Sequence, residues 1–178
     1  MITPDQFRTA FKEVMAREHP RLCETWESNK QFTASMLDKR TGVIVEVAKT
    51  LGINCCMAYW DVDAIYFREK DEVHFRASQI YARRISVAIE QENNWRTSDE
   101  EMNKLCQWNT PLAVLITYPP KRAHAGVLAR YSAIARDADF FHDFSNARRK
   151  MVIFGSRKGA DISWDCFQFD GKSFNTMA

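Results

Sequence analysis

Glu90 and Glu92 stand two residues apart at the end of Ile85-Ser-Val-Ala-Ile-Glu-Gln-Glu-Asn-Asn94, where an apolar, strand-like run passes straight into acid. In an extended strand such residues share a face, about 6.5–7 Å apart. Two like charges at that spacing repel unless something positive lies between them. A divalent cation bound by hard oxygens meets that need. The plainer alternative is a strand that frays into solvent and carries two ordinary surface acids. A second acidic pair upstream changes the balance. Asp61 and Asp63, also two apart, open the short apolar run Ala64-Ile-Tyr-Phe67. If the two strands are adjacent, as sequential strands are roughly two-thirds of the time, their acids can meet at one cation.

The elements that must position these acids follow from pattern. Thr3-Pro4-Asp5-Gln6 is a helix start with a capping box, and Phe7, Phe11, Val14 and Met15 share one face, so 4–17 is predicted helical. His19-Pro20 is the expected stop. A second helix is expected over 33–51, with Gly42 as a break and Gly52 as its end. Strands are predicted at about 53–60, 63–68, 73–77 and 83–91. Ser98-Asp-Glu-Glu101 reads as a capping box for a helix reaching Trp108, and Leu112–Tyr118 as a strand covered on both faces. A helix over 123–137, a strand at 151–154 and another at 162–169 complete the chain, with a turn at Asp170-Gly171. The order implies a mixed α/β or α+β sheet flanked by helices.

The 178 residues suit one domain, spanning 1–178, whose 46% hydrophobic and 27% charged composition is ordinary for a globular chain. A net charge of +2 makes no overall demand for a polyanionic partner. From Pro119 to Lys158, however, nine Lys/Arg face three Asp. Cys23, Cys55, Cys56, Cys106 and Cys166 show no metal-ligand spacing and suit small core residues in a reducing compartment. No signal peptide or transmembrane-length apolar run is evident, so a cytoplasmic protein without a membrane partner is expected.

An acid opening the second core strand and E-x-E closing the third resemble the PD-(D/E)xK nuclease superfamily over about residues 40–120. The C-terminal helix and β-hairpin of 121–178 lie outside the resemblance. It implies a restriction-endonuclease-like αβββαβ core and Mg²⁺- or Mn²⁺-dependent hydrolysis of DNA. Asp63 (or Asp61) and Glu90 would be the metal ligands, helped by the Gln91 carbonyl. Glu92 falls where the family usually has lysine, and would bind a second ion or orient water. Glu46, at the edge of its helix's apolar stripe, is a weaker candidate for the same cluster, an ordinary solvated glutamate being the stronger reading. The non-catalytic alternative keeps the fold to bind nucleic acid or a protein, and a small defence-associated inhibitor is a third option. A homodimer is left open.

Outside the acids, Arg148, Arg149, Lys150, Arg157 and Lys158 are candidate phosphate contacts, weighed against a solvated charge run. Gly155-Ser-Arg-Lys-Gly159 reads as a basic hairpin loop, since it lacks the strand–loop–helix order of a P-loop. Histidines 19, 74, 124 and 142 are scattered without a metal spacing. Trp108 is expected to pack, and Trp95 to pack in preference to stacking on a base.

Overall fold

The computed structural model describes residues 1–76 and 79–177. Helix α1 (Pro4–Thr25) opens on the expected capping box: the Thr3 hydroxyl accepts the Gln6 amide, and the Gln6 side chain accepts the Thr3 amide. It does not stop at His19-Pro20 but continues with Pro20 inside. Proline removes one backbone bond. Burial of Leu22, and bonds from Arg21 to the Ser35 and Thr41 carbonyls, offset that loss beyond the proline.

The helix expected over 33–51 is two helices, α2 (Asn29–Leu37) and α3 (Val43–Thr50). Gly42 sits between them because the chain folds back on itself there. A Cβ at Gly42 would lie 2.5 Å from the Asp38 nitrogen and 2.6 Å from its oxygen.

Among the described residues, nine strands and two further helices follow: β1 (Asn54–Tyr59), β2 (Val62–Phe67), β3 (Glu72–Arg76), β4 (Gln79–Ala82), β5 (Val87–Glu92), α4 (Ser98–Gln107), β6 (Leu112–Thr117), α5 (His124–Ala138), β7 (Arg149–Lys158), β8 (Asp161–Phe169) and β9 (Phe174–Thr176). Seven of them form one sheet in the order β1-β2-β5-β6-β7-β8-β9. The β5–β6 and β6–β7 pairs are parallel and the others antiparallel. This is the mixed sheet flanked by helices that the pattern implied.

The predicted strand 73–77 stands outside that sheet. Residue 77 lies outside the described residues, and β3 pairs only with β4 in a separate hairpin. His74 in β3 is exposed, whereas Val87-Ala-Ile89 is wholly buried. β2 therefore pairs directly with β5.

Alternation along the strands divides the core into two layers. Ala64, Tyr66, Val87, Ile89, Val114 and Ile153 pack under α1, α2 and α3. Ala88, Ala113, Leu115, Val152 and Phe154 pack under the crossover helices α4 and α5. The five cysteines are unbridged. Among the described residues, no helix is long and apolar enough to cross a membrane.

Two glycines give a paired stability test by chemical denaturation. Gly42→Ala should cost about 1–3 kcal/mol, because the added methyl meets backbone that cannot swing away. Gly126→Ala in α5, where a Cβ would meet nothing within 4 Å, should stabilise by about 0.5–1 kcal/mol.

Candidate functional site

β2 and β5 pair Ala64 with Ile89 and Ile65 with Ala88, so the next step of the ladder sets Asp63 across from Glu90 on the same face. The Gln91 amide fixes Asp63 by donating to its Oδ2 at 2.8 Å. Glu90 is only 3% exposed. Its cation comes from α4: Lys104 Nζ lies 2.6 Å from Glu90 Oε1, contacts the Glu101 carboxylate and donates to the Asp61 carbonyl at 2.8 Å. Lys104 and Glu90 thus form a close ion pair.

Burial pushes the Glu90 carboxyl up to about 8; Lys104 opposes the shift, and repulsion from Asp63 and Glu101 adds to it. Burial also works against the charge of Lys104, but the Glu101 and Glu90 carboxylates override it and hold its pKa above the ordinary lysine value.

The remaining sequence candidates distribute unevenly around this centre. Glu92 follows Glu90 by two on the same strand, but its Oε1 accepts the Asn94 amide at 2.6 Å and closes the turn toward α4. Asp61 is exposed and contributes its carbonyl, not its carboxylate, to Lys104. Glu46 does not join the cluster. It sits on α3, in the other helical layer, bound by Lys49 at 2.6 Å and Arg17 at 2.9 Å, and the Lys49 contact lowers its pKa. Among the described residues, no three or more His, Cys, Asp or Glu side chains are grouped to hold a metal ion.

Lys104 is the member that sequence reasoning missed. Its signal was the helical spacing: Glu101, Lys104 and the buried Leu105 fall on neighbouring positions of one short helix, turned toward the acidic strand end. Trp60, at the tip of the β1–β2 turn beside this centre, is 86% exposed and has φ of 57°, the left-handed region that non-glycine residues rarely adopt. Trp108 packs in the core as expected, and Trp95 packs beneath the Arg96 guanidinium. Ser98 is not the N-cap of α4. Thr97 takes that position, and the Ser98 hydroxyl donates to the Trp95 carbonyl and contacts the Tyr131 hydroxyl.

The basic run does not form an edge beside the acids. The parallel register aligns Val87 with Leu112 and Arg149, and Glu92 with Thr117 and Phe154. Residues 148–150 therefore lie at the far end of the sheet from the acids, while Arg157 and Lys158 lie beyond the near end. Lys150 is not a phosphate contact. It is 1% exposed, with Nζ 4.0 Å from the Phe144 ring centre and one carbonyl partner, Arg148, at 3.2 Å. Burial lowers its pKa to about 8. Arg148 donates to the carbonyls of Cys106 and Trp108, and Arg157 pairs with Glu27 at 2.7 Å. Arg149 is half-buried and Lys158 exposed.

His124 Nε2 lies 3.4 Å from Ser156 Oγ with Asp165 3.9 Å from its other nitrogen, but the Pro119 carbonyl occupies Nε2 at 3.2 Å. A base that activates a hydroxyl needs that nitrogen free.

No family model and no curated protein matches the sequence. Among solved structures, the chain is similar to the central domain of yeast acetyl-CoA carboxylase. The match has 9% identity and a TM-score of 0.40, over 96% of this chain and 34% of that one, so the chain spans about a third of that protein's length. A likeness that low carries no argument about activity.

Two buried charges give opposite pH signatures. With its folded pKa raised from 4.5 to about 8, Glu90 lends stability that is full below 4.5 and is lost as pH rises toward 8. In EDTA, Glu90→Gln should therefore stabilise the fold by about 1–3 kcal/mol at pH 8–9 and flatten that pH dependence. Lys150 is depressed from 10.5 to about 8, so its cost is full below pH 8 and vanishes above 10.5. Lys150→Met should raise stability by about 1–3 kcal/mol at pH 7, with the gain shrinking at alkaline pH. Urea unfolding across pH reads both.

Proposed function

We propose that this protein is a metal-dependent nuclease that hydrolyses DNA phosphodiester bonds, with Asp63, Glu90 and Lys104 as its working residues. The observation that carries the reading is the acid pair, Glu90 buried and Asp63 half-buried, with a lysine ammonium 2.6 Å from Glu90. The resemblance asks for a lysine at position 92, and Lys104 of α4 would supply that charge. The element order supports it: α3, the antiparallel run β1-β2-β5, the crossover α4 and the parallel strand β6 match αβββαβ once the β3–β4 hairpin is treated as an insertion.

Mg²⁺ is commonly held by one or two carboxylates, with waters and substrate phosphate completing its shell. Asp63 and Glu90 fit that demand in donor type and number, with Glu90 a buried carboxylate whose Oε1 faces Lys104. When bound, such an ion polarises a phosphoryl oxygen and lowers the pKa of water. The protein's own groups do the rest. Lys104 keeps a fixed positive charge beside the acids, where negative charge builds on a phosphate under attack. The Gln91 amide orients Asp63, and Glu101 holds Lys104 in place.

One observation favours a second reading, a non-catalytic module that binds nucleic acid or protein. Lys104 already neutralises Glu90, and the described residues gather no three-acid group. A labelled-DNA cleavage assay with Mg²⁺ or Mn²⁺, and EDTA as control, separates the two. Glu90→Gln and Lys104→Met should each lower the cleavage rate by about 100-fold or more while the variants still unfold cooperatively. Wild-type protein that cuts with neither ion would support the module, and unchanged cutting by Glu90→Gln would remove this centre as the catalyst.

A further inference from the structure

The β3–β4 hairpin interrupts the sheet order, and its two stems carry Arg68 and Lys70 on one side and Arg83 and Arg84 on the other. The Arg83 amide donates to the Asp71 carbonyl at 2.7 Å and ties the stems together. All four cationic side chains are exposed, and they line a cleft of about 580 Å³ closed on its other side by Asn109 and Arg148. Two acids also line it. Asp143 lies 3.8 Å from Arg148, and Asp71 leaves the cleft with an excess of positive charge. Among the described residues, no carboxylate forms an ion pair with Arg68, Lys70, Arg83 or Arg84.

Like charges gathered around one concavity repel each other, and low-dielectric walls focus their field outward. A ligand that brings several negative charges relieves that repulsion, and arginine forks suit phosphate oxygens. A cleft of this size is too open for one phosphate and accepts a run of them.

The cleft and the acid centre lie toward opposite ends of the sheet, and α4 reaches both. α4 carries Lys104 at the acids, and Arg148 at the cleft binds the carbonyls of Cys106 and Trp108 where that helix ends. From Asp63 in β2 to Arg68, one residue past its end, the backbone spans about 17 Å at strand rise, a length matched by about five stacked nucleotides.

We infer that this cleft binds the phosphodiester backbone of DNA, gripping the strand about five nucleotides from the phosphate at the acid centre. The choice of ligand rests on the nucleic-acid reading above, but the grip does not depend on cleavage.

The test is fluorescence anisotropy with a labelled single-stranded oligonucleotide of about twenty nucleotides, in EDTA at low salt. The triple variant Arg68→Ala, Arg83→Ala, Arg84→Ala should bind at least about tenfold more weakly, with a salt slope shallower by about two units. Lys70→Glu should weaken binding independently. Lys12→Ala, which removes an exposed cation of α1 outside the cleft, should bind as wild type does, which separates the cleft from a general loss of positive charge. Inorganic tripolyphosphate should compete only weakly, because it spans too few of the cations. Equal binding by wild type and triple variant overturns the proposal, as does a wild type that binds tripolyphosphate but not the oligonucleotide. Cleft-dependent binding without cleavage in Mg²⁺ would sustain this site while removing the catalytic reading.

Discussion

Strands β5 and β6 and the first half of β7 run parallel and are buried on both faces, so side chains must cover them above and below. Covering both faces is what demands two helical layers, and it makes every polar atom in those strands costly unless something answers it. Glu90 and Lys150 are the two charged side chains inside this zone. Lys104 reaches down from α4 to answer Glu90. Lys150 has a carbonyl and an aromatic face in place of a carboxylate. The first arrangement keeps a charge pair at a strand end open to solvent on one side. The second keeps an ammonium inside the core.

Placement of chemistry follows from that layering. α4 must cross back over the sheet to join two parallel strands, and in doing so it lays Glu101 and Lys104 over the strand end that carries Glu90. The same helix then ends against Arg148, beside the stems of the β3–β4 hairpin. One ten-residue helix thus connects an acid-and-lysine centre with a basic cleft. The hairpin adds nothing to the sheet, and its stems supply four of the cleft's five cations.

Much of the architecture was legible in the residues because it depends on local pattern. Thr3 and Gln6 cap α1, the continuous run Leu112–Thr117 is buried on both faces, and the turn at Asp170-Gly171 joins β8 to β9. Local pattern misled where distant packing decided. Pro20 was expected to end a helix that Leu22 and Arg21 anchor from further along the chain. Strand 73–77 reads as a strand from its β propensity, but propensity does not say which strand it pairs with.

The sequence by itself determined that Asp63 and Glu90 lie at strand ends, since strand boundaries and two-residue periodicity are properties of neighbouring residues. It also determined the helical layers, because apolar spacing sets which face of each element is buried. Only the tertiary structure decided the company those acids keep. Lys104 is 14 positions from Glu90, and nothing in one dimension marks that a crossover helix brings the two within 2.6 Å. The basic residues show the converse. Arg148, Arg149 and Lys150 look like one surface run, yet strand alternation buries Lys150 and helix-end carbonyls engage Arg148. Arg68, Lys70, Arg83 and Arg84, separated by a hairpin, converge because its two stems must come together. Charge in a sequence is counted by position, whereas its effect depends on distance and burial, and those come only from the fold.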